Sequence, residues 1–449
     1  MTSSPALERL FGTDGVRGRA GEGWLSPAGA ARLARAIGEE FLAGDGGRAL
    51  VGHDGRRSGP ELELAVANGL GAAGYGVVSA GRITTPGLAL VARSEGFDLA
   101  VMLSASHNPA EDNGIKVFGG PDGKLTEELE DRIEARVRAA TDPVPSGRGP
   151  RADESLGVRY LDLLVERAPT LDLTGRRIAI DCAHGAGSSL GPALFRRLGA
   201  EVHTIGCEPN GDNINLAVGS THPGALQELV RSTRSAVGIA LDGDGDRCLI
   251  VDHEGELIDG DGILTISGLQ LARAGRLPHD TVVATVMSNK GLARALGSEG
   301  IELEAVGVGD RRVVEALRRG GYALGGEQSG HIVYGADLDY VGDGLYTALR
   351  VLAASCEASA TVRELAAPFR AFPQVLVNVP VASKPDFESL SSVAIEVRRL
   401  ERELGDDGRV LLRYSGTEPL ARVMIEGPDA VWIRREAEAL GALIAGLLG

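Results

Sequence analysis

The feature that most constrains this chain is a rhythm. Short apolar runs alternate with amphipathic stretches along most of its length. The runs include Ala49-Leu50-Val51, Val77-Val78, Leu99 to Leu103, Ile178-Ala179-Ile180, Val237 to Leu241 and Val282 to Val286. Apolar runs this short, bounded by turn residues, predict strands buried on both faces. The stretches between them read as helices. Pro27 to Leu42 is one example, with Ser26 as N-cap and Pro27 at the first helical position. Strands and helices in alternation give an α/β fold.

A chain of 449 residues is too long for one core, and two to four domains are expected. Three breaks divide it. Thr141 to Arg151 is rich in Pro, Gly and Ser and reads as a linker. A second border follows the turn region Val251 to Gly260, and a third lies near Phe372-Pro373. The expected domains are therefore 1–151, 152–257, 258–371 and 372–449. The first three read as similar α/β domains, divergent copies of one unit. The last differs: Val375 to Val381 and Val410 to Arg413 look like strands and Ala430 to Leu448 like a helix, which suggests a smaller α+β domain.

The formal net charge is −16, a field that repels nucleic acid and anionic membrane. Any anion must be held by local arginine clusters. The four cysteines, at 182, 207, 248 and 356, form no CxxC pair. Neither a zinc ribbon nor a dithiol motif is visible, and a reducing cytoplasmic setting fits. Met1 to Leu10 lacks the apolar core of a signal peptide, and the apolar end Ala439 to Gly449 is too short to span a bilayer.

Four segments carry chemistry. Leu103-Ser104-Ala105-Ser106-His107-Asn108-Pro109 follows a strand, where ligand crevices of open α/β sheets lie. Ser106 is a candidate nucleophile, and His107 and Lys116 can assist proton transfer or neutralise charge. The same residues also suit a plain turn. Leu241-Asp242-Gly243-Asp244-Gly245-Asp246-Arg247 also follows a strand. Alternation points its carboxylates to one side, and three carboxylates so close imply a hard cation such as Mg²⁺. An EF-hand fails, because Arg247 and His253 stand where it needs Gly and Glu. Three aspartates leave room for a further oxygen, which a phosphate on Ser106 would supply.

Arg413-Tyr414-Ser415-Gly416-Thr417-Glu418-Pro419, followed by Arg422, sets two guanidiniums around short neutral donors, as a phosphate dianion requires. Gly325-Gly326-Glu327-Gln328-Ser329-Gly330-His331 offers the mixed donors and acceptors that vicinal sugar hydroxyls need. Gly12-Thr13-Asp14-Gly15-Val16-Arg17-Gly18 adds Arg17 as a phosphate contact, though its glycines also fit a tight turn. His184-Gly185-Ala186-Gly187-Ser188-Ser189-Leu190 partly matches a dinucleotide fingerprint, but Leu190 occupies the third glycine position.

Together these segments resemble the α-phosphohexomutase superfamily, most closely in wording its bacterial phosphoglucosamine mutase branch. The matching anchors are Phe11 to Gly18, Ser104 to Pro109, Asp242 to Arg247, Gly325 to His331 and Arg413 to Pro419. The finer match lies in Gly219-Ser220-Thr221-His222, Thr285-Val286-Met287-Ser288-Asn289, Gly326 to His331 and Ser415 to Pro419. The resemblance implies four domains with mixed sheets around a central cleft. In turn they supply a phosphoserine loop, a metal-binding loop, a sugar-recognition loop and a phosphate-binding loop. It implies catalytic roles for Ser106, Lys116, His107 and Arg17, and one Mg²⁺ per chain between Ser106 and Asp242, Asp244 and Asp246. Arg247, Glu327, Ser329, His331, Arg413, Ser415, Gly416, Thr417 and Arg422 would bind substrate. The implied reaction converts glucosamine 6-phosphate to glucosamine 1-phosphate through phosphoserine and a hexosamine 1,6-bisphosphate, which also serves as activator. Glucose or mannose phosphates are the alternative substrates. The chain departs from the pattern at His53 and Gly55, where Arg and Thr are more frequent, at Tyr414, often Lys, and at Arg312, often aromatic. The oligomeric state, monomer or homodimer, is left open.

Overall fold

The computed structural model describes residues 9–12, 14–41, 46–119, 123, 125–139, 142–145, 147, 149–415 and 419–449. They group into two compact units: Met1–Met287 with Leu303–Ala366, and Ser288–Glu302 with Ala367–Gly449.

The larger unit holds three sheets. The first contains β1 (Val16–Arg19), β2 (Gly47–His53), β3 (Tyr75–Arg82), β4 (Leu99–Leu103), β5 (Asp112–Gly119) and β6 (Arg151–Ala152), ordered β1-β5-β4-β2-β3-β6. The second contains β7 (Arg177–Asp181), β8 (Glu201–Ile205), β9 (Val237–Leu241), β10 (Cys248–Asp252) and β11 (Leu257–Ile258), ordered β11-β10-β9-β7-β8. The third contains β12 (Thr281–Thr285), β13 (Glu302–Val306), β14 (Gly325–Gly326) and β15 (Ile332–Val333), ordered β13-β12-β14-β15.

One device recurs in all three. A strand pairs in parallel with a central neighbour, ends in a loop, and is followed by an antiparallel return strand. The pairs are β2–β4 with return β5, β7–β9 with return β10, and β12–β14 with return β15. The likeness expected of the first three domains is thus a shared topology. The three loops so placed are 104–111, 242–247 and 327–331, the segments singled out above for chemistry. The apolar runs leading into the first two are wholly buried in β4 and β9, which is why they show no alternation.

The helix Pro27–Phe41 starts as expected, with Ser26 Oγ accepting from the Gly29 N–H at 3.2 Å. Other expectations need adjustment. The strand read as Val282 to Val286 ends at Thr285. The last residue of the expected linker, Arg151, begins β6, which pairs in parallel with β3. The turn region Val251 to Gly260 contains β11, half of a hairpin with β10. In the last two cases a two-residue extended piece joins an existing sheet edge, where pairing defines it as a strand.

A buried carboxylate ties the unit together. Asp343 caps the helix Gly344–Ala358 through the Tyr346 N–H and accepts from the Tyr160 hydroxyl at 2.8 Å. The next N–H, of Gly344, donates to the Gly245 carbonyl in the aspartate loop.

The smaller unit is an antiparallel sheet of β16 (Gln374–Pro380), β17 (Arg409–Tyr414) and β18 (Leu420–Glu426), ordered β16-β18-β17. The helices Ser391–Leu404 and Ala430–Leu448 contribute Leu400, Ile433, Leu440 and Ile444 to the core it shares with Val379, Val423 and Ile425. The helix Lys290–Gly297 belongs to this unit. Its cap Asn289 accepts from the N–H groups of Gly291 and Phe372, and the Lys290 N–H donates to the buried Glu426. No helix among the described residues is long and apolar enough to cross a membrane.

Burial raises the Asp343 carboxyl to about 6, against the hydrogen bonds that favour its charge. A carboxyl raised in the folded state binds its proton more tightly there. Its ionisation therefore lowers stability above that pKa, and stability returns as pH falls from about 6 to about 4. The effect should be on the order of 2–3 kcal/mol. Asp343→Asn keeps a cap acceptor, so the variant should match or exceed the wild type at neutral pH and lack this gain on acidification. Urea unfolding of both proteins across this pH range checks it.

Candidate active site

Ser106 is buried and sits at φ 53, a left-handed conformation that costs a non-glycine residue about 1–2 kcal/mol. That geometry aims its Oγ at Asp242, to whose Oδ2 it donates at 2.6 Å. The His107 Nδ1 lies 3.3 Å from the same hydroxyl.

The aspartate loop closes over the serine. Asp242, Asp244 and Asp246 are buried, and one oxygen from each lies within 4.8 Å of the others. The intervening glycines have distinct reasons. A Cβ on Gly243 would come within 2.6 Å of the Ser106 carbonyl oxygen, and Gly245, at φ 74, leaves no room beside Thr84. Repulsion between the carboxylates is met by cations around them. The Lys116 ammonium donates to Asp244 at 2.8 Å and Asp246 at 3.4 Å, and also pairs with Asp14 at 2.7 Å. The Thr85 hydroxyl donates to Asp244. Arg17 pairs with Asp14 at 2.9 Å.

The electrostatics follow. Burial pushes Asp242 well above the usual carboxylate range, reinforced by Asp246 and Asp244. Burial pushes Asp246 the same way, but Lys116, His331 and Arg247 hold it well below that range. Burial opposes the charge on Lys116, yet Asp14, Asp244 and Asp246 outweigh it and keep the ammonium well above its ordinary pKa. His107 is lowered to about 4 by burial and by Arg247 and Arg17. Of the two roles left open for Lys116, this geometry favours charge neutralisation.

The residues present fit a hard divalent cation. Asp244 Oδ1 is buried with no hydrogen-bond partner, and Asp246 Oδ1 has only the His331 ring 3.7 Å away, a costly arrangement for anionic oxygens unless a cation meets them. Asp242, Asp244 and Asp246 would hold it, with Ser106 Oγ beside them.

The third loop joins this cluster. His331 Nδ1 is 3.7 Å from Asp246 Oδ1, and its Nε2 is 4.0 Å from Asp310. Glu327 Oε1 accepts from the Gly309 N–H at 3.2 Å, and its charge is felt by Arg247. Ser329 Oγ is buried without a partner. Gly330, at φ 93, lies against the Cys248 carbonyl, and its own carbonyl accepts from the Cys248 N–H at 3.0 Å, so the loop is fastened to β10. Asp246 and His331 help line a cavity of about 530 Å³, with Thr85, Asp310, Arg311 and Tyr340. Arg311 on its wall forms an ion pair with the buried Glu130.

In the smaller unit, Arg413 and Arg422 face each other across β17 and β18. Burial, then the neighbouring charge of Arg422, lowers the Arg413 pKa. Like charges opposed across a ladder repel, and an anion between them relieves that. Ser415 is buried, and its carbonyl accepts from Lys384 at 2.6 Å. Gly416 and Thr417 lie outside the described residues.

Sequence reasoning missed several participants. Asp14 stands in a segment already quoted, but only Arg17 was chosen there. Thr85 follows a strand end in Thr84-Thr85-Pro86, a capping signature. Asp54, Arg56 and Ser104 also flank strand ends. Asn215, at φ 61, carries no local signal.

Models of the phosphoglucomutase/phosphomannomutase family match the chain from end to end. Its α/β/α domain I matches residues 8–143, domain II 158–255, domain III 259–372 and the C-terminal domain 376–442. The chain is 46% identical over 449 residues to the phosphoglucosamine mutase of Symbiobacterium thermophilum, covering 98% of this chain and 99% of that protein. A phosphoglucomutase/phosphomannomutase family protein from Burkholderia thailandensis shares its fold at a TM-score of 0.78 and 25% identity, over 96% and 97% of the two chains. The Aspergillus fumigatus N-acetylphosphoglucosamine mutase in complex with GlcNAc-6P and magnesium superposes at a TM-score of 0.63 and 18% identity, over 97% and 95%.

The orphaned carboxylate oxygens carry a prediction. Mg²⁺ at about a hundredfold its dissociation constant should stabilise the wild type by about 2.7 kcal/mol. Asp244→Asn, which removes charge from one orphaned group, should abolish most of that gain. Thermal unfolding with Mg²⁺ and with EDTA reads it; an equal shift in both proteins would place the ion elsewhere.

Proposed function

The chain belongs to the phosphoglucomutase/phosphomannomutase family, and we propose that it interconverts glucosamine 6-phosphate and glucosamine 1-phosphate with Ser106 as phosphoryl carrier. It is an isomerase. The observation that carries the carrier role is the left-handed Ser106, buried, with its Oγ 2.6 Å from the first of three clustered carboxylates. The amino-sugar substrate is supported by the 46% identity to a phosphoglucosamine mutase over 98% of the chain.

In this reading the resting enzyme carries phosphate on Ser106. The Oγ–P bond breaks as a free O1 or O6 of the bound sugar phosphate forms a new O–P bond, giving the 1,6-bisphosphate. The intermediate reverses end for end, and its other phosphate returns to Ser106. Mg²⁺ held by Asp242, Asp244 and Asp246 would neutralise charge on the phosphoryl group. The protein's own work is positioning. Lys116 and Arg17 balance the carboxylates and the incoming phosphate. The sugar hydroxyl's proton needs an acceptor, and His107, in contact with Ser106 Oγ, is the candidate by geometry. Glu327, Ser329 and His331 read sugar hydroxyls. Arg413, Ser415, Gly416, Thr417 and Arg422 hold the phosphate that is not reacting. The product suits UDP-N-acetylglucosamine synthesis in the cytoplasm.

Two tests follow. Intact-mass measurement should find one phosphoryl group on the purified enzyme, located at Ser106 by peptide mapping. Ser106→Ala should lose mutase activity by at least about 10³-fold, and activity near that of the wild type would end the carrier reading. Side-by-side assays on the 1-phosphates of glucosamine, glucose and mannose should show a kcat/KM highest for the amino sugar. A preference for glucose or mannose would favour the phosphoglucomutase or phosphomannomutase alternative.

A further inference from the structure

Beneath the serine loop lies a fully buried guanidinium that the chemistry above does not use. Arg56 follows the end of β2, whose His53 is opposite Leu103 of β4, so it sits directly below the loop that β4 feeds. All five of its N–H donors are engaged. Nε donates to Asp54 at 2.8 Å. One terminal nitrogen donates to the carbonyls of Pro109 and Asp112, and the other to those of Ser106 at 3.0 Å and Asn108 at 2.9 Å. Three carbonyls of the loop and that of Asp112, the first residue of β5, therefore converge on one side chain.

The contacts close a ring around Ser106. Its N–H donates to Ser104 Oγ at 2.8 Å, and that hydroxyl donates to Asp54 Oδ2 at 2.6 Å. Asp54 pairs with Arg56, which returns to the Ser106 carbonyl. From the second sheet's side, the Asn215 amide donates to the carbonyls of Ser106 at 2.9 Å and Asn108 at 3.0 Å. Both polar backbone atoms of Ser106 are thus anchored to one buried ion pair, while its hydroxyl donates to Asp242.

We propose that Arg56, braced by Asp54 and Ser104 and assisted by Asn215, is a positioning residue that fixes Ser106 for phosphoryl transfer and biases the phosphoenzyme toward the sugar and away from water. The assignment rests on the carrier role proposed above. A loosened loop lets the phosphate leave the line of the sugar hydroxyl, where water competes, so the ring governs the partition between isomerisation and hydrolysis. Misplacement by about 1 Å is enough to cost roughly 10²-fold in rate.

Lysine at position 56 keeps the charge but offers three donors against five. Arg56→Lys should lower kcat by roughly 10²-fold, leave KM for the sugar phosphate within a few-fold, and raise inorganic phosphate released per isomerisation. The ³¹P resonance of its phosphoserine should shift or broaden. Asn215→Ala removes two loop contacts and no buried charge. It should lower kcat by roughly tenfold with the same rise in phosphate release, and it carries the test if Arg56→Lys does not fold. Wild-type kcat and wild-type phosphate release in folded Asn215→Ala or Arg56→Lys would overturn the assignment. A fall in kcat with unchanged partition and an unchanged ³¹P signal would also overturn it, since a merely structural role predicts that. A wild-type enzyme without phosphate on Ser106 would instead overturn the carrier reading beneath it.

Discussion

Three carboxylates buried within 4.8 Å of one another are the constraint around which the larger unit is organised. In a medium of low dielectric their repulsion is severe. The protein meets it with an ammonium from the first sheet, an imidazole from the third and the guanidiniums of Arg17 and Arg247. Lys116 answers the charge of Asp244 and Asp246 from the return strand β5, while Ser106 meets Asp242 from the loop before it. The site is the place where one sheet's excess of negative charge is shared among its neighbours.

The shared topology makes this possible. Each sheet presents a loop between a buried strand and its antiparallel return, so three loops of different chemistry have the same mechanical support. A hydroxyl, a set of carboxylates and a set of mixed donors thereby occupy equivalent positions in three copies of one device. What differs among them is side-chain chemistry; what is common is the strand that ends beneath them.

Much of this was legible in the sequence, because its signals were local. Leu99 to Leu103 and Val237 to Leu241 announced buried strands; Asp242 follows the second directly and Ser106 stands three residues past the first. The glycine alternation marked a loop crowded by its surroundings, and the structure identifies the crowding atoms as the Ser106 carbonyl and Thr84. What escaped was long-range. Arg56 and Asn215 act on Ser106 across 50 and 109 positions, and a buried arginine bonded to carbonyls looks like any other arginine until the chain is folded. β11 and β6 were missed because two-residue strands are defined by their partners. For Lys116 the sequence left two roles open, and the choice depends on Asp14, Asp244 and Asp246 converging from separate segments.

The Asp343 tie bears on how the molecule comes apart. A helix cap in the third sheet's segment holds a tyrosine from the helix Ser155–Glu166, while its next N–H holds the aspartate loop. The helix Gly344–Ala358 therefore cannot leave without breaking its bonds to the helix Ser155–Glu166 and to the aspartate loop, so these three segments are built to come apart together. Once that helix departs, the aspartate loop loses the backbone bond that holds Gly245, and with it part of the support of the carboxylate cluster.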